Sequence, residues 1–232
     1  MKTDLKELQR VANVLLHCEP KVNEQFNFIV HHPFFQSCVY PIQENGGARF
    51  LDITKRDELE VARGFVKELI AKTQSAFDFL LLISKPYLPA FFKFANKAMS
   101  EEDFAKFLSE MWITVEFPNT DKNISPLNFV NLFKRANKDY LMSEKDKQVY
   151  DDMPDTITIY RGVRDGARVK ALSWTTDIDT AIWFAQRWSD EGTVYSAEIS
   201  KSDVLAYFGG RGEYEVVVDF RKLNKIEEVS CY

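Results

Sequence analysis

Residues 156–162 read TITIYRG, and this stretch marks the point at which the sequence changes character. Its alternation of apolar and hydroxyl-bearing residues predicts a β-strand, and residues 194–199 and 215–220 show the same kind of pattern. A helical pattern at residues 177–188 interrupts these strands, with Gly192 beyond its end. The C-terminal part of the chain is therefore predicted to be mostly β.

The residues before this stretch have helical patterns instead. Apolar residues recur every three or four positions at residues 57–83, 100–115 and 126–142. The second of these segments opens with Ser-Glu-Glu-Asp, which is typical of a capped helix start, and a short helix is predicted for residues 143–150. Helices followed by strands indicate an α+β chain.

The length and composition fit a folded protein of one large or two small domains. The chain has 232 residues, of which 45% are hydrophobic, and its 19 Phe can fill a substantial core, so disorder is not indicated. We expect an N-terminal helical region at residues 1–95 and a second domain at residues 96–232.

The charge and hydropathy patterns narrow the classes of partner. The formal net charge of −5 gives no overall basic footprint for nucleic acid or an anionic membrane, although a local basic patch stays possible. The apolar runs are far shorter than the roughly 20 residues that span a bilayer, so no membrane partner is expected. Residues 1–4 begin no signal-peptide pattern, which favours a cytoplasmic protein, with export or injection without a cleavable signal as the alternative.

The cysteines and histidines form no recognisable framework. Cys18, Cys38 and Cys231 follow no paired spacing, which favours reduced thiols over disulfides. The histidines and cysteines between residues 17 and 38 match no zinc-ligand spacing, so we expect no metal site.

The first feature that carries chemistry is Tyr160-Arg161-Gly162, at the end of the predicted strand. An arginine there can direct its several N–H donors at a phosphate. A glycine beside it lets a ligand approach the backbone. Arg161 and Gly162 are therefore candidate binding residues, although a surface salt bridge is the commoner role for such an arginine.

The second feature is Ser173-Trp174-Thr175, which runs into the start of the predicted helix. Thr176 or Asp177 is placed to cap that helix. Ser173 lies too far upstream to be the cap, so its hydroxyl is a candidate for a functional role.

The third feature is GGRGEYE, residues 209–215, which leads into a run of three valines. On a strand, residues i and i+2 face the same way, so Glu213 and Glu215 are predicted to present two carboxylates side by side. Carboxylates that close repel each other, which would raise one pKa and suit two different catalytic roles. Two solvated glutamates on an exposed strand are the alternative.

Several aromatic residues flank these polar motifs. A planar ligand such as nicotinamide or adenine would need one or two of them, although each singly is more often a core residue. They are Tyr160, Trp174, Tyr207, Phe208 and Tyr214.

The order of these motifs resembles the ADP-ribosyltransferase superfamily, in its arginine–serine–glutamate branch related to cholera toxin and the clostridial binary toxins. The resemblance covers roughly residues 120–232 and implies a catalytic domain with a mixed β-sandwich core. It does not extend to the diphtheria-like branch, since no histidine follows residue 32. The usual serine–threonine–serine triplet is replaced by Ser173-Trp174-Thr175, which keeps a hydroxyl at the third position.

The resemblance implies NAD⁺ as co-substrate and a role for each motif. Arg161, with Tyr160 and Gly162 beside it, would hold the NAD⁺ phosphates and the adjacent ribose. Ser173, with Thr175 nearby, would hold the nicotinamide ribose and orient the catalytic glutamate. Glu215 would bind that ribose and stabilise an oxocarbenium-like transition state.

The resemblance also indicates the acceptor. Glu213 would activate the acceptor nucleophile, and paired glutamates of this spacing imply an arginine side chain of a protein. Tyr207 or Phe208, in a rim loop at residues 207–212, could stack on its guanidinium. Nucleic acid as acceptor, and water as acceptor in an NAD⁺ glycohydrolase, stay open.

A different class of function also stays open. The chain could be a catalytically inactive domain of the same fold that serves as a binding or scaffold module, although intact Arg161, Ser173, Glu213 and Glu215 weigh against it. The N-terminal helices could dock a partner, but core burial explains their apolar stripes better. The biological setting (toxin, phage factor or defence protein) is not specified by the sequence.

Overall fold

A computed structural model describes residues 1–44, 46–115, 121–164, 166–187 and 192–229. The chain divides into two compact units, residues 1–116 and 117–232. Within the described ranges, no helix is both long enough and apolar enough to cross a membrane. Helices precede a sheet-rich part, which confirms the α+β class.

The first unit combines helices with two short pairs of strands. Its helices are α1 (Leu5–Leu16), α2 (Arg56–Ala71), α3 (Asp78–Leu82), α4 (Leu88–Ala95) and α5 (Glu101–Thr114). Its strands are β1 (Lys21–Val22), β2 (Val30–His31), β3 (Val39–Glu44) and β4 (Gly47–Asp52). β1 pairs with β2 and β3 with β4, both antiparallel. The sequence patterns did not predict these strands, because they are two to six residues long and show no clear alternation.

Stacked phenylalanine rings form part of the first unit's core. Phe92 of α4 stacks on Phe104 and Phe107 of α5, with ring centroids 5.3 and 5.5 Å apart, a favourable spacing for aromatic pairs. Helix α5, which the expected boundary between residues 95 and 96 placed in the second domain, therefore belongs to the first unit. The spacing of apolar residues identified the helix but did not reveal which neighbour covers it.

The predicted helix at residues 57–83 is two helices, α2 and α3. The Asp78 side chain accepts hydrogen bonds from the backbone N–H groups of Gln74 (2.6 Å) and Ser75 (3.2 Å), which holds the linker in a non-helical turn. The predicted start of α5 is confirmed, since Ser100 Oγ accepts from the N–H of Asp103 at 3.1 Å.

The second unit contains a six-stranded sheet and the remaining helices. The helices are α6 (Pro126–Arg135), α7 (Lys138–Leu141), α8 (Glu144–Asp151) and α9 (Ile178–Gln186). The strands are β5 (Thr156–Val163), β6 (Ser173–Thr175), β7 (Thr193–Ser200), β8 (Val204–Phe208), β9 (Glu215–Val218) and β10 (Asn224–Val229). Their order across the sheet is β10-β7-β5-β6-β9-β8.

This sheet differs from the expected mixed β-sandwich. Each neighbouring pair of its described strands is antiparallel, so the sheet is not mixed. It is also one continuous sheet, although β5 and β6 share a single residue pair, Tyr160 with Thr175. Two three-stranded parts, β10-β7-β5 and β6-β9-β8, thus meet at one narrow junction.

The helix ends of the second unit follow from side-chain caps. The predicted helix at residues 126–142 is interrupted, because Asn137 accepts from the N–H of Asp139 at 3.0 Å and starts α7. Ser143 caps α8 through the N–H of Asp146 at 3.1 Å, as predicted. Asp177 caps α9, whereas the predicted end of that helix at Trp188 lies outside the described residues, as does Cys231.

The end of β9 is anchored by a buried charged group. Asp219 is fully buried, and it accepts from Arg221 at 2.6 and 2.8 Å and from Lys134 of α6 at 2.8 Å. These hydrogen bonds, that of Arg221 first, lower the pKa of Asp219 despite its burial. The strand that carries Glu215 is thereby tied to α6 at its other end.

Candidate active site

Three strands bring the polar motifs together in the second unit. Arg161 lies on β5, Ser173 on β6 and Glu215 at the start of β9. Strands β6 and β9 pair with Thr175 opposite Glu215 and Ser173 opposite Val217. Because alternate residues of a strand share a face, Ser173 and Glu215 are diagonal neighbours on one face of the sheet.

A short side-chain hydrogen bond joins Ser173 to Glu215. Ser173 Oγ donates a hydrogen bond to Glu215 Oε1 at 2.6 Å. Glu215 is only 7% exposed, so this bond lies largely out of water and gains strength from the low local dielectric. A hydroxyl thus holds a buried carboxylate in one orientation.

Arg161 completes the group through the backbone of Ser173. Its Nη1 donates to the carbonyl oxygen of Ser173 at 2.5 Å. Its Nε is buried and has no hydrogen-bond partner among the described residues. Burial lowers the pKa of Arg161 to about 10, and the negative charge of Glu215 opposes that shift. The guanidinium therefore stays protonated at neutral pH and keeps a donor available for a ligand.

Thr175 and Thr176 hold the end of the glycine-rich loop. Thr175 Oγ1 donates to the carbonyl oxygen of Glu213 at 2.8 Å and accepts from the N–H of Asp177 at 3.1 Å. The N–H of Thr176 donates to the carbonyl oxygen of Tyr214 at 3.2 Å. Thr175, predicted to contact a ligand, is buried here and fixes the backbone beside the two glutamates.

The sequence pattern predicted that Glu213 and Glu215 lie side by side on one strand, and this prediction was wrong. Strand β9 begins at Glu215, and Tyr214 has a φ of +46°, in the left-handed region. The alternation of side chains therefore does not extend back to Glu213. The Glu213 carboxylate instead accepts from Arg211 Nη2 at 2.7 Å. Each glutamate thus has its own partner, one a hydroxyl and the other a guanidinium.

The predicted rim aromatics are placed differently. Tyr207 and Phe208 lie in β8 and are 5% and 6% exposed, so the expectation that they lie in the loop and stack on an acceptor was wrong about their position. The apolar run from residue 204 belongs to a core strand, which the sequence analysis did not recognise. Tyr214, 46% exposed and adjacent to Glu215, is the aromatic ring that faces solvent here.

Gly162 allows helix α9 to pack closely on strand β5, whereas the sequence had suggested that it lets a ligand approach the backbone. A Cβ at this position would lie 2.0 Å from the carbonyl oxygen of Ala181 and 2.4 Å from the nitrogen of Ala185, so only glycine lets α9 pack this closely on β5. Tyr160 packs against the same two alanines and Val194. Both residues support the strand that carries Arg161.

Trp174 is a core residue and not a ligand contact. It is 2% exposed, and its Nε1 donates to the carbonyl oxygen of Ala171 at 2.9 Å. Its position on β6 puts it on the opposite face from Ser173 and Thr175. The bulky centre of the Ser-Trp-Thr motif is therefore compatible with the Ser173 geometry.

Two residues near the loop were not identified by sequence reasoning. Asp146 Oδ1 accepts from the N–H of Gly209 at 2.9 Å and anchors the start of the loop. Nothing in the sequence indicated this long-range contact. Arg211 pairs with Glu213, and an arginine two residues before a glutamate in a glycine-rich loop was a signal that could have suggested it.

A separate cavity lies in the first unit. It measures about 240 Å³, and its polar lining residues are Glu19, Thr54, Arg56 and Arg63. Arg63 donates to Glu60 at 2.8 Å and to the carbonyl oxygen of Cys18 at 2.9 Å, which ties α2 to the segment after α1. None of the lining residues belongs to the motifs of the second unit.

In the part of the chain that is described, no three His, Cys, Asp or Glu residues lie close enough together to hold a metal ion.

Comparisons with protein-family models, with curated proteins and with solved structures found no match. The chemistry of the site therefore has to be argued from its own geometry: an oriented, buried carboxylate close to a guanidinium that stays charged.

Proposed function

We propose that the second unit is a mono-ADP-ribosyltransferase, which transfers ADP-ribose from NAD⁺ to an arginine side chain of a protein and releases nicotinamide. The observation that carries this proposal is the Ser173–Glu215 hydrogen bond at 2.6 Å, with Arg161 bound to the backbone of the same serine. These three residues come from strands β5, β6 and β9.

Arg161 is suited to an anionic dinucleotide. Its buried Nε lacks a partner among the residues described, and an unsatisfied buried donor is costly unless a ligand uses it. A phosphate oxygen of NAD⁺ would satisfy this donor and the positive charge together. This fit of a guanidinium to a diphosphate supports NAD⁺ as the co-substrate.

Glu215 is suited to stabilising a developing cation. Nicotinamide is a good leaving group when bound as part of NAD⁺, and its departure leaves positive charge on the ribose. A carboxylate already fixed by Ser173 needs no reorganisation to face that charge, and electrostatic stabilisation is stronger in a site shielded from water. We therefore assign Glu215 as the catalytic residue and Ser173 as the residue that orients it.

Glu213 is suited to an arginine acceptor. Its carboxylate already binds one guanidinium, that of Arg211, at 2.7 Å. Guanidinium–carboxylate pairing is strong and directional, so an arginine from another protein could take the same place. This contact favours arginine over nucleic acid or water as the acceptor.

We place this activity in the cytoplasm, where NAD⁺ and protein acceptors are present together. Cys18 and Cys38 are free thiols, and free thiols persist in a reducing compartment.

The test of the proposal is nicotinamide release from NAD⁺ by the wild type and by Glu215→Gln. Gln keeps the shape and can hydrogen-bond Ser173 but lacks the charge, so the rate should fall by about 10²–10³. Glu198→Gln is the matched control, because Glu198 is a glutamate of the same sheet that pairs with Lys225 instead of with the site.

The outcome distinguishes an enzyme from a binding module. Equal rates of nicotinamide release by the wild type and a stably folded Glu215→Gln protein would refute the mechanism. NAD⁺ binding without nicotinamide release, even with a cell lysate as the source of acceptors, would favour the inactive scaffold.

A further inference from the structure

One face of helix α2 lines the cavity of the first unit. Arg56, Leu59 and Arg63 all contribute to this lining, and their spacing of three and four residues puts them on the same side of the helix. Leu59 and Arg63 are buried, whereas Arg56 is exposed. The cavity therefore meets two guanidinium groups with an apolar side chain between them along the helix.

The rest of the lining is mostly apolar. Val22 of β1 and Val30 of β2 are direct partners in their strand pair, and both line the cavity together with Pro20 and Ile53. Apolar walls with a few polar groups are typical of small-molecule sites. The volume of about 240 Å³ is below the roughly 300–1,000 Å³ of pockets for drug-sized ligands, so the cavity suits a smaller molecule.

Arg63 leaves part of its guanidinium unused. Its side chain is only 6% exposed. Its Nη1 donates to Glu60 Oε1 at 2.8 Å, and its Nη2 donates to the carbonyl oxygen of Cys18 at 2.9 Å. Its Nε is buried and has no hydrogen-bond partner among the described residues. A buried donor without an acceptor is costly, and a ligand that supplies the acceptor removes that cost.

A carboxylate satisfies this donor better than a water molecule does. A buried water needs roughly two to four polar partners, and most side chains that line this cavity are apolar. A carboxylate oxygen would accept from Nε in a charge-assisted hydrogen bond, which is about twice as strong as a neutral one. The buried guanidinium of Arg63 therefore favours an anionic ligand.

The start of α2 adds positive potential at the same cavity. Arg56 is the first residue of this helix, which begins without a side-chain cap, and a helix N-terminus attracts anions. The first turn also carries Asp57 and Glu58. Glu58 already accepts from the N–H of Asp52 at 2.6 Å, and neither acidic residue is among the described residues that line the cavity.

We infer that this cavity binds a small monocarboxylate with a branched apolar chain. The carboxylate pairs with Arg63, and the more exposed Arg56 attracts it at longer range. The apolar chain lies against Val30, Ile53 and Leu59. This site is independent of the proposed function, because none of its residues belongs to the motifs of the second unit.

Glu19 determines the sign of one test. Its carboxylate lies 3.7 Å from Arg63 Nη2, and its side chain is 71% exposed. An ion pair this exposed contributes little, so the carboxylate of a ligand can displace it. Because two carboxylates near one guanidinium repel each other, removing the charge of Glu19 should strengthen the binding of an anion and weaken the binding of a cation.

The experiment titrates isocaproate into the purified full-length chain by calorimetry. Isocaproamide, which has the same shape without the charge, and inorganic phosphate, which has charge without the apolar chain, are the comparison probes. We expect a dissociation constant for isocaproate of about 1 mM or below, a weak affinity that suits so small a ligand. Both comparison probes should bind at least about tenfold more weakly.

Four variants test the contacts, each with its melting temperature as a check of folding. Arg63→Lys keeps the charge but loses the Nε donor, and should weaken isocaproate binding at least about tenfold. Arg56→Gln should weaken it about two- to fivefold, and Glu19→Gln should strengthen it by a similar factor. Arg49→Gln is the matched control, since Arg49 is an exposed arginine of the same unit that pairs with Glu44 at 3.1 Å.

Methyl signals in NMR spectra locate the bound probe. Isocaproate should shift the signals of Val30, Ile53 and Leu59 and leave that of Val217, in the second unit, unchanged. If Arg63→Lys does not fold, Arg56→Gln, Glu19→Gln and these shifts still decide the question.

Four results would overturn the inference. They are the absence of binding up to about 10 mM isocaproate, equal binding of the amide or of phosphate, weaker binding in Glu19→Gln, and methyl shifts confined to the second unit. None of them bears on nicotinamide release, so the proposed function is tested separately.

Discussion

Removing the hydroxyl of Ser173 should slow the chemical step far more than it weakens NAD⁺ binding. Ser173 Oγ donates to Glu215 Oε1 at 2.6 Å, and the acceptor is 7% exposed, so water cannot replace the lost donor without entering the site. A hydrogen bond to a charged group contributes about 1.5–3 kcal/mol. At about 1.4 kcal/mol for each factor of ten, Ser173→Ala should lose about 10- to 150-fold in kcat.

The assay is nicotinamide release over a range of NAD⁺ concentrations, which separates kcat from KM. If the hydroxyl orients Glu215, kcat falls and KM changes little, because the effect appears in the transition state. Ser173→Thr keeps a hydroxyl and should recover part of the loss. Ser200→Ala is the matched control, since Ser200 is a serine of the same sheet whose hydroxyl lies 3.0 Å from that of exposed Ser202 instead of bonding a carboxylate.

Two results would refute this reasoning. A Ser173→Ala protein with wild-type kcat and melting temperature would show that the carboxylate needs no hydroxyl to hold it. A rise in KM at constant kcat would show that Ser173 binds the co-substrate and does not orient the glutamate.

Three further predictions concern a binding residue, an acceptor residue and a buried histidine. Arg161→Ala should weaken NAD⁺ binding by roughly 1.5–3 kcal/mol, and wild-type affinity in calorimetric titration would contradict the assignment. Glu213→Gln should lose transfer to an acceptor while keeping nicotinamide release, whereas equal loss of both would argue against separate roles. His32 is buried, and desolvation lowers its pKa from 6.5 to about 4. Folding therefore favours the neutral imidazole. The stability that this gives above pH 6.5 should be lost as the pH falls toward 4, by up to about 3 kcal/mol. This pH dependence should be smaller in His32→Gln than in the wild type, whereas His31→Gln, a variant of an exposed histidine, should keep it.

The elements that the sequence predicted well are those with local signals. Ser100, Ser143 and Asp177 cap helices because their side chains bond backbone groups three residues away, and such signals are visible in the sequence. Strands β5, β7 and β9 were predicted by alternation or by β-branched runs. In both cases the physical cause lies within a few residues.

The misplaced elements depend on contacts distant in sequence. Gly162 suggested a ligand, but its lack of a Cβ serves the approach of α9, about twenty residues further on. Tyr207 and Phe208 suggested a loop, but pairing with β9 places them in the core. Long-range pairing has no local signature, so the sequence could identify these residues but not their surroundings.

The candidate site was predicted in its residues and not in its geometry. The sequence suggested that Arg161, Ser173 and Glu215 act together, and the structure brings them into one hydrogen-bonded group. The separation of Glu213 from Glu215 was missed because it depends on the left-handed φ of Tyr214. Residues other than glycine rarely adopt this conformation, so nothing in the sequence indicated it there.

The narrow junction of the sheet explains why the site forms where it does. After the pair of Tyr160 with Thr175, a regular antiparallel ladder would next place Gly162 opposite Ser173, but no such pair forms. The carbonyl oxygen of Ser173, left without that ladder, accepts from the Arg161 guanidinium at 2.5 Å instead. Where β5 diverges from β6, the long cationic side chain of Arg161 thus reaches across to the edge of β6. Arg161 therefore makes two contributions. Its Nη1 satisfies a carbonyl oxygen at the open edge of β6, and its buried Nε stays available as a donor for the NAD⁺ that we propose as co-substrate.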